Sequence, residues 1–291
     1  MFDAIKNKFL VPFDGNFSLK KSLTKLEDLS FNKEEYQKNL NALNERIDTD
    51  QRMLYAQDKH SVLLVFQAID AAGKDGTIRA VTRGINPAGC QVFSFKQPSK
   101  EELDHDFLWR TTKRMPQRGR IGVFNRSYYE EVLVVRVHPE YLRYQQLPDM
   151  ADVGQLWQQR YESIRQHERH MAQNGTVILK FWLNVSKQEQ KERLLARIDT
   201  PEKNWKFSSA DVEERQYWDE YMAAYEDALN ETSRPWAPWY AIPADDKRVM
   251  RLKVAEILAE TLEALNLQYP SLAKKQEQEL QLMRERLINE K

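Results

Sequence analysis

The stretch SVLLVFQAIDAAGKDGT, residues 61–77, decides the fold. Its first half, Val62 to Ile69, is an almost unbroken apolar run, long enough for a strand covered on both faces and too short for a helix. A buried parallel strand is expected there. Its second half, Asp70 to Thr77, packs small residues and a Gly-Lys pair at the carboxyl end of that strand and leads into the helical-looking IRAVTRG. This is the layout of a phosphate-binding loop. Ala71, Ala72, Gly73 and Gly76 let several backbone N–H groups converge on one anion. The helix that follows aims its positive end at the same point, and Lys74 adds a mobile point charge.

The general pattern for such loops, G-x-x-x-x-G-K-[ST], is broken at both ends. Ala68 stands where the first Gly belongs, and Asp75 stands where a metal-binding hydroxyl belongs. The plain alternative is a strand-to-helix turn with a surface lysine. Against it, Asp70 and Asp75 flank the Lys, and two carboxylates beside a phosphate site make sense chiefly as Mg²⁺ partners, directly or through water.

Composition narrows the field. The 291 residues are enough for one large or two small domains with a substantial core. Lys plus Arg and Asp plus Glu both number 44, so there is no global basic field of the kind that points to nucleic acid. Any polyanion site must come from local clustering. The single cysteine, Cys90, excludes an internal disulfide and a multi-cysteine zinc site, which suits a reducing cytoplasm. No N-terminal leader pattern and no long apolar run is present, so a soluble cytoplasmic protein without membrane contact is expected. His167 and His170 lie three apart on a charged helix and are expected on a solvated face.

Outward from the loop, residues 1–32 read as an extended arm, and 33–60 as an amphipathic helix with Tyr36, Leu40, Leu43, Ile47 and Leu54 on one side. Cys90 to Phe95 is a second strand, and Ser99 caps a short helix. The segment 110–126, RTTKRMPQRGRIGVFNR, holds Arg110, Lys113, Arg114, Arg118, Arg120 and Arg126 and no acid. A helix end in solvent explains Lys113 and Arg114 but not Arg126. That residue lies just past a third strand, Ile121 to Phe124, where open α/β sheets place ligands. At the end of such a strand a carboxylate usually faces Mg²⁺; Asn125 holds the place here, leaving Glu130 as the substitute. Val132 to Val137 fits either a strand or a buried helical turn. A long helix spans 152–173, and Thr176 to Leu183 is a fourth strand. The cationic, aromatic segment 199–207, DTPEKNWKF, precedes a helix beginning at Ser208 or Ser209 and bearing Arg215. A helical lid over about 199–230 would look like this, as would an ordinary helix pair with solvated charges. Trp239 to Ile242 is a last strand, Lys247 to Leu267 a closing helix, and 268–291 a charged helical tail with a weak apolar seam at Leu280, Met283 and Leu287.

Taken together, DAAGKDGT at 70–77, GINPAG at 84–89, FLWR at 107–110, FNRSYYEEVLVVRV at 124–137 and DTPEKNWKFS at 199–208 make the chain resemble the second family of polyphosphate kinases. These are P-loop enzymes structurally related to thymidylate kinase. The resemblance covers roughly Leu40 to Leu267, and in it Asp75 and Asn125 belong to the family's own pattern. It implies an α/β, three-layer αβα P-loop kinase fold, 61–267, with a mostly parallel sheet and a helical lid. It also implies reversible phosphoryl transfer between inorganic polyphosphate and a nucleotide, with Mg²⁺ and with Mn²⁺ as a substitute.

Carried onto this sequence, Lys74 and the backbone of the loop from Ala71 to Thr77 hold phosphates, and Asp70 holds Mg²⁺ with Asp75 nearby. Arg126 stabilises charge on the transferring group. Arg118, Lys203, Lys206 and Arg215 track the polyphosphate, and Asn125, Tyr129 and Glu130 face the acceptor. ADP is the favoured acceptor, AMP a further one, and GDP and GTP the guanine counterparts; a homo-oligomer, dimer or tetramer, is expected. Two alternatives remain at this stage: an ATP-dependent nucleoside monophosphate kinase of thymidylate-kinase type, and a non-catalytic polyphosphate-binding protein.

Overall fold

The computed structural model describes residues 1–27, 29–148 and 153–290. Its centre is a parallel sheet of β1 (Ser61–Gln67), β2 (Cys90–Ser94), β3 (Ile121–Asn125), β4 (Thr176–Asn184) and β5 (Trp239–Pro243), in the order β2-β3-β1-β4-β5. β1 is buried along its whole length, which is why Val62 to Phe66 are apolar at every step rather than at alternate ones. Val62, Leu64 and Phe66 pack into one core and Leu63 and Val65 into the other.

The helices, in chain order, are α1 (Lys33–Gln57), α2 (Lys74–Val81), α3 (Val153–Gln173), α4 (Lys187–Asp199), α5 (Trp218–Thr232), α6 (Lys247–Ala264) and α7 (Lys274–Ile288), with shorter helical turns between them. Leu40, Leu43, Ile47 and Leu54 of α1, Ile78 and Val81 of α2 and the apolar side of α6 cover one face of the sheet. Tyr161 and Ile164 of α3 and Ala224, Tyr225, Ala228 and Leu229 of α5 cover the other. The result is the expected three-layer α/β architecture. From β1 the chain moves outward to β2 and returns through β3 before crossing to β4. The connections therefore diverge at β1 and β3, and the carboxyl ends of those strands open a crevice where such sheets bind ligands.

Several expectations at the ends of elements are corrected. α1 starts at an Asn32–Glu35 capping box but stops at Gln57, because Asp58 adopts a left-handed conformation (φ 51°), so the helix does not reach residue 60. The segment 132–137 is a 3-10 turn, Tyr128–Val132, followed by one helical turn, Val134–Val137. The helix expected to begin at Ser208 or Ser209 is broken into Ser209–Glu213, the 3-10 turn Glu214–Tyr217 and α5. The break coincides with tertiary contacts that local propensity does not contain: Glu214 accepts from Tyr221 (2.7 Å) and meets His138 (3.0 Å), while Arg215 donates to Lys187 O (3.1 Å). The helix expected over 152–173 is described over Val153–Gln173, and its expected start at 152 lies outside the described residues.

The arm is more than extended chain. Val11 N donates to Trp239 O (2.9 Å), and Phe9 O accepts from Ala241 N (2.8 Å), with an antiparallel bridge between Leu10 and Tyr240. The arm thus covers the open edge of β5, which would otherwise present unpaired backbone groups. Among the described residues, no helix is long and apolar enough to cross a membrane.

Candidate active site

The loop between β1 and α2 is built as the sequence requires. Ala71 (φ 63°) and Gly73 (φ 110°) take left-handed conformations, and Gly73 opens α2 without a side-chain cap, leaving its first N–H groups free for an anion. Gly76 lets the Arg251 guanidinium lie close over the loop, 2.8 Å from where a Cβ would stand, so a side chain there would push that guanidinium aside. Lys74 is buried and folds back on its own loop, donating to Ala68 O (2.6 Å) and Ile69 O (3.3 Å). Burial, then the neighbouring Arg126, push its pKa down to about 8, against the pull of Asp70, Glu130 and Asp75.

Arg126 stands across from this loop at the end of β3. It is a non-glycine residue at φ 64°, and its N–H donates to Phe66 O at the end of β1 (3.0 Å). That unusual backbone directs the guanidinium between two carboxylates: Nη2 is 2.5 Å from Asp70 Oδ1 and Nη1 is 3.0 Å from Glu130 Oε2. Glu130 and then Asp70 raise the arginine's pKa further, so its charge is permanent. Burial alone would raise the Asp70 pKa, but Lys74, Arg126 and Arg197 together hold it below the usual carboxylate value. Asp70 is therefore an anionic oxygen donor at neutral pH. Asp75 is oriented by Asn125, whose Nδ2 donates to its Oδ1 (2.7 Å). One or two carboxylates completed by substrate phosphate oxygens and water is the usual Mg²⁺ arrangement at a phosphate site, and this pair fits it. Among the described residues no group of three or more His, Cys, Asp or Glu is gathered as a metal cage.

The structure also corrects the sequence-predicted set. Arg118 lies at the opposite, amino-terminal edge of the sheet, where it donates to Lys59 O (2.9 Å) and Asn174 O (3.0 Å). The two ends of its segment, Arg110 and Arg126, reach the crevice, and Arg118 between them does not. Tyr129 is fully buried in the core and does not face an acceptor. Arg215 does not stand beside Lys203 and Lys206. It bonds Lys187 O and Gln190 behind the cleft, where it shares a small cavity of about 50 Å³ with Asp70 and Arg126. The Thr77 hydroxyl donates to Gly73 O (3.0 Å) inside α2, so only its backbone faces the loop.

Other residues of the site were not assigned from sequence. Arg193, buried on α4, donates to Ala72 O (2.5 Å), Ala71 O (3.3 Å), Ala244 O (2.6 Å) and Asp245 O (3.0 Å). It staples the phosphate loop to the segment after β5. Gln190, one turn earlier, donates to Asp70 O (3.0 Å), and Arg197 pairs with Asp211 (2.8 Å) at the base of the lid. The one available signal was the spacing of Gln190, Arg193 and Arg197, which share a helix face; nothing in it says that the face meets the loop.

Two hollows meet at Arg126. A cleft of about 1190 Å³ runs over the phosphate loop, bordered by Lys74, Arg193, Arg197, Lys203, Lys206, Lys247 and Arg251. A second hollow of about 360 Å³ is lined by Phe95, Phe107, Tyr141 and Tyr144 with Gln97, Gln145 and Glu130. Arg126, Phe95, Lys96 and Gln97 border both. A cationic track and an aromatic pocket that share one arginine are what a phosphoryl donor and a flat-ringed acceptor need.

Fold and site together define a P-loop phosphotransferase. The model of the family Polyphosphate kinase 2 (PPK2) matches residues 30–270, and the chain belongs to that family. An ADP-polyphosphate phosphotransferase of Rhodopseudomonas palustris is 56% identical over 286 residues, covering 98% of this chain and 99% of that one. An AMP/ADP-polyphosphate phosphotransferase of Meiothermus ruber is 47% identical over 264 residues, covering 90% and 95%. The crystal structure of polyphosphate kinase 2 from Arthrobacter aurescens TC1 superposes with a TM-score of 0.82 at 36% identity, covering 97% of this chain and 99% of that one.

Proposed function

We propose that this chain transfers a phosphoryl group reversibly between inorganic polyphosphate and a nucleotide, with ADP as the favoured acceptor, AMP as a further one and the guanine nucleotides as counterparts. The observation that carries this is the position of Arg126 on the border between the cationic cleft and the aromatic pocket. The names borne by the Rhodopseudomonas and Meiothermus relatives support ADP and AMP as acceptors.

Polyphosphate lies in the larger cleft with its terminal phosphoryl group at the phosphate loop, and Lys203 and Lys206 follow the chain outward. The acceptor base enters between Phe95, Phe107 and the tyrosines, with its phosphate toward Arg126. On binding, Lys74 turns from the Ala68 and Ile69 carbonyls to bridging phosphate oxygens. Arg126 exchanges Asp70 for the transferring group while keeping Glu130. Asp70, with Asp75, would then hold Mg²⁺ or Mn²⁺, whose chemistry there would be to neutralise charge on the phosphate oxygens. The rest is positioning and cationic charge at a loose transition state, and an arginine so placed contributes roughly 10³ to 10⁵ in rate in related chemistry. Glu130 sets a negative charge beside the acceptor phosphates and so weighs on the choice between monophosphate and diphosphate. The proposal includes a cytoplasmic setting, no nucleic-acid or membrane partner, and a homo-oligomer.

Incubating the protein with long-chain polyphosphate, Mg²⁺ and either ADP or AMP, without ATP, tests this by product analysis. ATP from ADP is the expected outcome, with ADP followed by ATP from AMP. Product formed only when ATP is supplied together with a monophosphate would overturn it in favour of an ATP-dependent monophosphate kinase.

A further inference from the structure

Beneath the turn that follows Arg126 and carries Glu130 lies a buried charge cluster whose members Lys180, Glu168 and Tyr129 line neither hollow, while Tyr128, bonded to it, reaches the second. Lys180 of β4 and Glu168 of α3 are both fully buried and 2.7 Å apart. The Lys180 ammonium also donates to Tyr129 Oη (2.8 Å) and Thr232 O (2.9 Å), which uses all its donors. Glu168 Oε1 accepts from the hydroxyls of Tyr128 and Tyr129, each at 2.9 Å. Trp239 and Thr232 close the cluster, the indole N–H donating to Thr232 Oγ1 (2.9 Å).

Both tyrosines belong to the 3-10 turn Tyr128–Val132, which starts two residues after Arg126. Of its side chains, Tyr128, Tyr129, Glu131 and Val132 are buried, and Glu130 is the one directed at Arg126. Ser127 joins the turn to β1, its Oγ accepting from Tyr129 N and from Gln67 Nε2, each at 3.1 Å.

Packing alone does not call for these charges. Desolvating a Lys and a Glu costs several kcal/mol per ion, and apolar groups of similar volume would serve stability as well or better. Directional bonds do what apolar contacts cannot: they fix the rotation of the turn and hence the aim of the two side chains above it. We propose that Lys180, Glu168 and Tyr129 form a positioning unit that sets Arg126 and Glu130 for transfer; this rests on Arg126 acting as proposed above. The unit touches no substrate, so it governs turnover rather than affinity.

The test is a double-mutant cycle on the full-length protein, using ADP and long-chain polyphosphate. Tyr129→Phe is expected to lower kcat about tenfold with KM for polyphosphate unchanged, since small misplacements of a catalytic group have effects of this size. In an Arg126→Ala background the same change is expected to have no further effect on kcat. Lys180→Met combined with Glu168→Gln is expected to keep or raise Tm while losing kcat to a similar degree. An equal loss from Tyr129→Phe in both backgrounds, or wild-type kcat in the Lys180/Glu168 variant, would overturn the positioning role while leaving Arg126 intact. Wild-type kcat in Arg126→Ala alone would instead remove the catalytic reading, and the positioning role with it.

Discussion

At the scale of single residues, Lys74 shows how the site waits for its ligand. Its ammonium is bound to two carbonyls of its own loop, and burial with the adjacent Arg126 brings its pKa to about 8. The charge is present below that value and is lost as the pH rises through it. An unfolded lysine titrates near 10.4, so between about 8 and 10.4 the unfolded chain binds the extra proton and this group's contribution to stability rises with pH. Affinity for the anion moves the other way. The Kd of a short polyphosphate, measured by calorimetry on wild-type protein, is expected to rise as pH passes about 8. Lys74→Met is expected to bind more weakly at neutral pH and to lose that step. A flat wild-type Kd from pH 7 to 9 would take Lys74 out of the phosphate site; a step would not come from Lys180, whose pKa is also lowered to about 8 but which lines neither hollow.

At the scale of elements, the lid is the part whose sequence and structure agree least in detail and most in chemistry. Pro201–Lys206 is a 3-10 turn with no buried residue, and it brings Lys203 and Lys206 to the rim of the cleft beside an exposed Trp205. Lys203→Ala with Lys206→Ala is expected to raise KM for polyphosphate several-fold and to flatten its dependence on salt, since each lost phosphate contact removes part of the counterion release. The same variant should keep its KM for ADP, and an unchanged salt slope would remove these lysines from the track. The elements that sequence made legible were those written locally. β1 is apolar without a break from Val62 to Phe66, Ser99 sits in a capping box with Glu102, and the small residues Ala71 to Gly73 run straight into Lys74. Arg193 and the break at Glu214 were not legible, because each meets residues far away in the chain: the carbonyls of Ala72 and Ala244 for one, His138 for the other. Arg118 misled for the complementary reason. Charge clustering in sequence does not say which end of a strand a side chain reaches.

At the scale of the whole molecule, the feature left over is α7. None of its residues is buried, yet it runs for 15 residues, a length at which an isolated helix is marginal in water. Leu280, Met283 and Leu287 lie along one side of it and are exposed. Of the charges flanking that side, Glu277 and Glu279 come in the first half and Arg284 and Arg286 in the second, with Lys275 of the first turn outside this pattern. Glu279 and Arg286 are seven residues apart and share one flank, and Glu277 and Arg284 share the other in the same way. A second copy laid antiparallel would set each glutamate opposite the arginine of its own flank while the apolar side chains meet at the seam. The proposed homo-oligomer is therefore expected to form through this helix. Exposed ion pairs contribute only about 0.2–1 kcal/mol each, so they select the antiparallel arrangement more than they hold it, and the association should weaken with salt. Light scattering after size exclusion is expected to give a smaller species for Arg284→Glu with Arg286→Glu. Adding Glu277→Arg and Glu279→Arg to that variant restores the complementarity and should restore the wild-type mass. Because α7 lies outside both hollows, kcat with ADP should stay the same throughout. A reversal variant that keeps the wild-type mass would place the contact on another surface, and a wild-type monomer would remove it altogether.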